Sequence, residues 1–219
     1  MRKFIKKEVL WIGVLALLAS IFITTVSQAS SLTQSPTILE EWSSLPVPPV
    51  PPFKPVKLDS ATTAVLVLDI VPPTCKVRPR CLASIPKIQE LLLSAREKGV
   101  MVVYSITMTT KAEDIFLEVY PAPDDPIVQT TVDKFYKTDL DSILKEKGIK
   151  TVVITGTAAN GAVLHTAVGA ALNGYQVVLP VDGMSATEPY AEQYTAFHML
   201  NSPGTRNKAV LTKVGLITF

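Results

Sequence analysis

Two stretches of the sequence hold groups suited to chemistry at the edge of a sheet. Asp69 is the one acid in the apolar run Ala64–Ile70, which has the composition of a buried parallel strand. Packing explains a carboxylate there poorly, so we favour a functional role over one satisfied by local N–H groups. The turn Gly156–Gly161 follows a second strand-like run, Thr151–Thr155, where open α/β sheets place ligands. Together an acid and a turn of backbone amides can bind a small anion and protonate it.

The segment Thr151–Val181 is expected to position this turn. It contains no Asp, Glu, Lys or Arg, and its order of strand, turn, helix and strand is the βαβ unit of a parallel sheet. Strands alternate with helices along the rest of the chain, including a helix that we predict to begin at Ser84 and end before Gly99. The fold class is therefore α/β: a doubly wound, mostly parallel six-stranded sheet with helices on both faces, a Rossmann-like three-layer sandwich.

The helix at the centre of this unit, residues 161–172, is apolar on most of its circumference. Such a helix has to be covered on more than one side, by the sheet, by neighbouring helices or by another subunit. We therefore predict a homo-oligomer that forms through this helix.

The first 29 residues have the pattern of a secretory signal peptide: a basic start, an apolar run and small residues at a cleavage site. The apolar run Val9–Val26 is just long enough to span a bilayer, so an uncleaved membrane anchor is the alternative. In both cases the globular part is exported, to a periplasmic or extracellular location, and meets the membrane only through this segment.

Residues 30–58 are predicted to be a Pro-rich, extended linker, and residues 59–219 to be the α/β domain. The formal net charge of +2 comes from the N-terminal segment, because residues 30–219 hold 17 basic and 18 acidic side chains. A body without a basic stripe gives no reason to expect nucleic acid, so we predict a small-molecule substrate as the partner.

Both cysteines of the chain, Cys75 and Cys81, lie in the loop after the strand that carries Asp69. In an exported protein with no cysteine left over they are interpreted as a disulfide that staples this loop. A thiol nucleophile or a metal pair is the less favoured alternative, because there is no CxxC spacing and no nearby His. Arg78 and Arg80 in the same loop either present positive charge to an anionic substrate or remain solvated.

Other motifs argue against cofactor and metal chemistry. The turn Gly156–Gly161 has neither the P-loop sequence nor the GxGxxG spacing of a dinucleotide site. The two histidines, His165 and His198, do not stand at metal-ligand spacing. We therefore predict no metal and no cofactor.

Four motifs together resemble the isochorismatase-like (cysteine hydrolase) superfamily: AVLVLDI, FxxTxL from Phe135, VVITGTAANGAVLHTA and GYQVVLPVDGMSA. The resemblance covers residues 62 to 219. It implies an α/β sheet flanked by helices and, in many members, hydrolysis of small amides by an Asp–Lys–Cys triad. The isochorismatase branch cleaves a vinyl ether and lacks the Cys.

Carried over by position, the resemblance assigns the family's Asp to Asp69 and its nucleophile to Ala162, so the thiol is absent. The position of the family's Lys is Gln129. Lys134, directly before Phe135, is the basic residue that replaces it if the loop is shorter than usual. Without a thiolate at residue 162, covalent acyl-enzyme hydrolysis has no nucleophile.

The resemblance also implies a non-proline cis peptide at Thr157–Ala158 that aims N–H groups at a substrate oxygen. His165, about one helical turn after Ala162, faces the pocket or is a core or interface histidine bonded to a backbone carbonyl. The expected substrate-binding residues, on the turn and nearby, are Gln129, Thr157, Ala158, Asn160, Gly161 and His165.

Two functional hypotheses follow. In the first, the protein is an exported isochorismatase-like hydrolase acting on a small anionic or amide-type molecule, with Asp69 as acid/base, Lys134 as electrostatic helper and no Cys nucleophile. In the second, it is a catalytically degenerate binding or scaffold protein of the same family. The distance from Asp69 to Lys134 is the observation that separates them best.

Overall fold

A computed structural model describes residues 35–219, so the predicted signal peptide or anchor over residues 1–29 lies outside the described residues. The chain divides into two compact units, one ending at Pro48 and one spanning Pro49–Phe219. This boundary falls inside the predicted linker, whose role stays a prediction. None of the helices within residues 35–219 is long and apolar enough to cross a membrane.

The first unit contributes one short helix, α1 (Ile38–Glu41). The Thr37 side chain accepts the Leu39 N–H, and the Glu40 carboxylate accepts the Thr37 N–H, which completes a capping box. Because the helix buries no residue, local capping rather than packing defines it.

The second unit is an α/β domain. Its helices are α2 (Pro72–Cys75), α3 (Pro79–Glu97), α4 (Leu140–Glu146), α5 (Leu164–Leu172) and α6 (Pro189–Asn201). Its strands are β1 (Val56–Lys57), β2 (Thr63–Leu68), β3 (Met101–Ile106), β4 (Ile127–Gln129), β5 (Thr151–Thr157), β6 (Gln176–Pro180), β7 (Met184–Ser185), β8 (Ala209–Thr212) and β9 (Ile217–Thr218).

The main sheet has seven strands, and all of its pairings are parallel. Six strands form the continuous order β4-β3-β2-β5-β6-β8, and β7 pairs with β5 beside this path. The α/β class and the parallel sheet are therefore confirmed. The predicted count of six is corrected by β7, a strand of two residues that is too short to show a period in the sequence.

The two faces of β2 separate the hydrophobic core into two layers. Ala64, Leu66 and Leu68 pack with residues of α4, α5 and α6, whereas Val65 and Val67 pack with α3. Every residue of β2 is buried, as expected for a strand with a helix layer on each side. The prediction of helices on both faces is confirmed.

The predicted start of α3 is wrong. The helix begins at Pro79, five residues before Ser84, and Pro86 lies inside it. Pro79 is suited to the first helical position because its missing N–H is unpaired there in any case. Ser84 is a buried interior residue whose hydroxyl donates to Cys81 O at 2.8 Å. The predicted end before Gly99, which has a φ of 68°, is correct.

Most of α5 is covered by the chain itself. Five of its nine residues are buried. A Cβ added to Gly169 would lie 2.9 Å from an oxygen of Asp133 and 3.2 Å from the ring of Phe135, so the loop before α4 packs directly on the helix. Homo-oligomerisation through this helix stays a prediction.

The two-stranded sheet β1–β9 ties the start of the domain to its end. The Thr212 hydroxyl donates to Lys54 O at 2.8 Å and extends this attachment beyond the strands. The chain from residue 54 onward is therefore attached to the C-terminal part of the domain.

Candidate active site

Asp69 lies directly after β2 and is turned by a left-handed backbone, with a φ of 55°. Its N–H donates to Ser105 O at 3.1 Å, and its carbonyl oxygen accepts the Thr74 hydroxyl at 2.6 Å. Only 6% of the residue is exposed. Non-glycine residues with this φ are uncommon, and such conformations cluster at functional sites.

Each carboxylate oxygen of Asp69 receives a hydrogen bond from a buried side chain. Lys134 Nζ donates to Oδ2 at 2.8 Å, and Ser105 Oγ donates to Oδ1 at 2.8 Å. Lys134 is completely buried, and its Nζ also donates to Thr131 O at 2.6 Å. Buried charges are costly unless they are paired and hydrogen-bonded, and this pair meets both conditions.

Lys134 reaches Asp69 from the loop between β4 and α4. Its backbone N–H donates to Thr166 Oγ1 on α5 at 3.1 Å, and its carbonyl oxygen accepts the Thr138 hydroxyl at 2.5 Å. These two bonds fix the backbone of Lys134 at its N–H and at its carbonyl group, and so hold the point from which the side chain extends. Lys134 is therefore joined to Asp69 in the candidate site, whereas the side chain of Gln129, the Lys position implied by the resemblance, donates to Thr107 O and Thr110 O.

The turn after β5 stands beside Asp69. Leu68 pairs with Gly156, so the next residues along each strand, Asp69 and Thr157, are level at the carboxyl edge. The Thr157–Ala158 peptide is cis, as the resemblance implies. Gly156 has a φ of 123°, and a Cβ on it would lie 2.1 Å from Leu68 O, so only glycine fits this approach.

The turn continues through the π-helical segment Ala159–Val163 into α5. Its N-cap residue, Ala158, supplies no side-chain acceptor, but its carbonyl oxygen accepts the N–H groups of Gly161 and Val163. N–H groups at a helix start that have no partner within the chain favour an anion or a developing oxyanion.

Ala162 is buried and lies four residues before Thr166, which is about one helical turn. Since Thr166 contacts the Lys134 backbone, Ala162 lies on the face of this helical segment that is turned towards Lys134. Cys75 and Cys81 form a disulfide with a Cα–Cα distance of 5.1 Å, and these are both cysteines of the chain. The assignment of Ala162 to the nucleophile's position stays a prediction.

The structure shows the surroundings of three of the predicted binding residues, whose role in binding stays a prediction. The Gln129 amide donates to Thr107 O at 3.0 Å and Thr110 O at 2.9 Å, so it holds the segment after β3. Asn160 is exposed. His165 is also exposed, and its Nδ1 lies 2.8 Å from Gly161 O, which matches the alternative of a histidine bonded to a backbone carbonyl.

The two loop arginines differ in their partners. Arg80 makes a two-point ion pair with Glu192, and the hydrogen bond to this carboxylate raises the pKa of Arg80 above its ordinary value. Arg78 donates through Nη1 to Thr74 O at 2.8 Å and has no carboxylate partner among residues 35–219.

Sequence reasoning missed Ser105 and Thr166. Ser105 is the one serine in the buried run MVVYSI, and its register partner is Leu68, the residue before Asp69. That polar residue at a strand end was an available signal. Thr166 has no comparable signal, because threonine is ordinary in an apolar helix.

Within the described residues no group of three or more His, Cys, Asp or Glu side chains is arranged to hold a metal ion. The arrangement instead consists of a paired carboxylate and ammonium beside the turn that follows β5, at the carboxyl edge of a parallel sheet. This combination defines an α/β protein with a candidate acid–base site for a small molecule.

The isochorismatase domain model matches residues 63–212, which include every residue of this site. The chain therefore belongs to the isochorismatase family. An isochorismatase family protein of Bacillus subtilis, YaaI, is 27% identical over 92 residues, or 42% of this chain. The aligned stretch spans 51% of that relative, about half of its length.

Solved structures agree with this assignment. An isochorismatase-like hydrolase of Alkaliphilus metalliredigens is 28% identical, with a TM-score of 0.62 over 70% of this chain and 95% of its own. A cysteine hydrolase of Pseudomonas syringae has a TM-score of 0.64 at 21% identity, over 75% of this chain and 94% of its own. The nicotinamidase of Staphylococcus aureus has a TM-score of 0.63 at 21% identity, over 70% and 99%. At the lower identities the likeness establishes the fold alone, which is that of the isochorismatase-family hydrolases.

Proposed function

We propose that the protein is an exported isochorismatase-family hydrolase that acts on a small anionic or amide-type molecule without a cysteine nucleophile. Asp69 is the acid/base and Lys134 is its electrostatic partner. The observation that carries the proposal is the 2.8 Å contact between Lys134 Nζ and Asp69 Oδ2, with both groups buried at the ligand-binding edge of the sheet.

The site supplies the parts of a hydrolysis that needs no covalent intermediate. For an amide, Asp69 takes a proton from water as the water attacks the carbonyl carbon, and returns it to the leaving nitrogen. The carbonyl oxygen, which gains negative charge, is stabilised by N–H groups of the turn and by Lys134. For a vinyl ether, a protonated Asp69 donates its proton to the double bond, and water adds to the resulting oxocarbenium ion and returns a proton to Asp69. The hemiketal that results then breaks its C–O bond, which releases the alcohol and leaves a carbonyl compound.

Two features support chemistry without a thiol. Both cysteines of the chain are used in the disulfide, so neither is a thiolate in the oxidised protein. The residue on the helix face towards Lys134 is Ala162, whose methyl group has no nucleophilic atom.

The second candidate function is that of a binding or scaffold protein with a degenerate site. Ala162 is the observation in its favour, because a family site that lost its nucleophile can still bind a ligand. The buried Asp69–Lys134 pair favours the enzyme, since a pure binding protein gains little from keeping an expensive charge pair beside the turn.

The remaining expectations belong to this proposal. Export rests on the N-terminal segment, which also provides the membrane contact if it is not cleaved. The small-molecule partner rests on the position of Asp69 and the turn at the carboxyl edge of the sheet, and the absence of a basic stripe argues against nucleic acid. Homo-oligomerisation is tested by light scattering on the purified chain, and a monomeric mass would count against it.

The proposed function is tested by measuring hydrolysis of a panel of small amides, ureas, carbamates and vinyl ethers. We expect at least one class to be turned over, and Asp69→Asn to lower the rate at least about a hundredfold. Asp124→Asn is the matched control, because Asp124 is an exposed acid outside the site, and it should leave the rate unchanged. Unchanged turnover in Asp69→Asn would remove the mechanism. A panel without turnover, together with unchanged ligand affinity in that variant, would favour the binding protein.

A further inference from the structure

The inner side of α6 holds this helix against the rest of the domain. Glu192, Ala196 and Met199 stand at positions i, i+4 and i+7, which share one face of a helix. Ala196 and Met199 are buried. The Glu192 carboxylate accepts the Ala186 N–H at 2.9 Å and forms an ion pair with Arg80. Apolar packing and these polar contacts therefore fix which side of α6 is turned outward.

Three aromatic side chains lie on the outer side of α6. Tyr190, Tyr194 and Phe197 also stand at positions i, i+4 and i+7, and so form a second face of the helix. They are 73%, 42% and 47% exposed, respectively. Single exposed apolar residues are ordinary on a protein surface, but neighbouring rings on one helix face form a patch of the kind that marks an interaction site.

The outer side of a surface helix normally carries charged groups, as α3 shows. Lys87, Glu90 and Arg96 are exposed along α3, which covers the opposite face of the sheet. α6 contains no Lys, Arg or Asp, and its one Glu is the inward residue Glu192. Apart from the imidazole of His198, the outer side of α6 offers no group that carries a charge near neutral pH. Such a face is unusual for a helix exposed to water.

A second copy of this chain is the partner that this face fits. In an isologous contact the same patch lies on both sides, so two uncharged faces meet and no charge is left without a partner. A charged protein surface would find no opposite charge on the outer side of α6. Helices that lie on a lipid surface typically carry Lys or Arg on their polar side, and α6 has neither.

The area of the aromatic patch agrees with this partner. A buried aromatic side chain covers about 150–250 Å², so the open parts of the three rings amount to on the order of 300 Å² per copy. A stable interface buries about 800 Å² per partner. The rings supply the apolar centre of such an interface, and uncharged polar residues beside them, among them Gln193 and Asn201, supply its rim.

We propose that the outer side of α6 is the contact surface of a two-fold symmetric homodimer. The two copies of α6 pack against each other through Tyr190, Tyr194 and Phe197, and Tyr194, the middle residue of the three, lies near the two-fold axis. This surface is distinct from α5, most of which the chain itself covers. The proposal does not depend on the chemistry at Asp69, so loss of one leaves the other standing.

The test is sedimentation of the purified full chain over a range of concentrations. The wild type has the mass of two chains. Tyr194→Glu/Phe197→Glu raises the Kd of the dimer at least about a hundredfold, because like charges are placed in its apolar centre. Every variant keeps the same N-terminal segment, so a change in mass is due to the substitution.

The matched control is Leu82→Glu/Leu93→Glu, which changes two exposed apolar residues of α3 and leaves the dimer intact. The thermal unfolding midpoint shows whether each variant is folded. Tyr190→Glu, at the most exposed of the three rings, provides the test if the double variant does not fold.

Three results would overturn the proposal. The first is a wild type that is monomeric at every concentration, and the second is a folded α6 variant that dimerises as well as the wild type. The third is a dimer that Leu172→Glu dissociates and the α6 variant does not, which would place the contact on α5. If a monomeric wild type binds phosphatidylglycerol vesicles and the α6 variant does not, the face belongs to a lipid surface instead.

Discussion

The ammonium nitrogen of Lys134 lies 2.8 Å from Oδ2 of Asp69, although the two residues are 65 positions apart in the sequence. Lys134 is fully buried, and Asp69 is 6% exposed. The pair joins the end of β2 to the loop before α4. It is therefore both a structural link between two segments and the centre of the proposed chemistry.

Removing one partner of this pair should destabilise the fold. We expect Lys134→Met to lower the free energy of unfolding by about 3–5 kcal/mol, because Asp69 is left as a buried, unpaired charge. Lys145→Met is the control: it breaks an exposed ion pair with Asp141 and should cost less than about 1 kcal/mol. Denaturant unfolding measures both. Equal losses in the two variants would mean that the buried pair does not stabilise the protein.

Ser105 should act on Asp69 rather than on the fold. Ser105→Ala removes the donor to Asp69 Oδ1. We expect it to lower kcat roughly tenfold with little effect on KM, because the carboxylate loses one of the two side-chain hydrogen bonds that hold its orientation. Ser142→Ala, on the exposed side of α4, is the control. Steady-state kinetics with the best substrate of the panel measure both. A KM effect without a kcat effect would assign Ser105 to substrate binding instead.

The approach of Gly156 to β2 should not tolerate a side chain. We expect Gly156→Ala to lower the free energy of unfolding by more than about 3 kcal/mol, because the added Cβ would overlap Leu68 O at 2.1 Å. Gly174→Ala is the matched control, since Gly174 also has a positive φ, of 99°, but open space around it. It should cost about 1 kcal/mol. Equal costs would show that backbone conformation alone requires the glycine.

The cysteines should matter for stability and not for the chemical step. The double variant Cys75→Ser/Cys81→Ser opens a loop with a sequence separation of 6 and should lose about 2 kcal/mol of unfolding free energy. Its kcat should stay within about tenfold of the wild type, because no thiol takes part in the reaction. Denaturant unfolding and turnover are measured on the same preparation. A loss of turnover beyond this in a folded variant would point to a cysteine in the reaction.

The sequence located the acid and the turn but not what holds them together. Asp69 and the turn at residues 156–161 were predictable because strand ends are visible as apolar runs followed by polar or glycine residues. Lys134 was named as the partner of Asp69 only through the resemblance, because the chain from Gln129 to Thr138 has no periodic pattern from which its path could be predicted. The contact distance is a tertiary property of that loop.

Two further differences have local causes. The start of α3 was placed at Ser84 because serine is a frequent cap, but Pro79 at the first helical position is the signal that the chain uses. Gln129 was expected near the substrate, which stays a prediction, and the structure adds that its amide nitrogen donates to two carbonyl oxygens of the segment after β3. Hydrogen bonds between loops of this kind cannot be deduced from spacing in one sequence.

The central claim is that Asp69 and Lys134 work as one catalytic unit, and a double-mutant cycle on kcat/KM tests it most directly. The variants are Asp69→Asn, Lys134→Met and the two combined, each first shown to be folded by its unfolding transition. We predict that each single change lowers kcat/KM at least about a hundredfold. The kcat/KM of the combined variant should be no lower than that of the less active single variant. Losses that multiply in the combined variant, or a folded Asp69→Asn with wild-type kcat/KM, would contradict the claim.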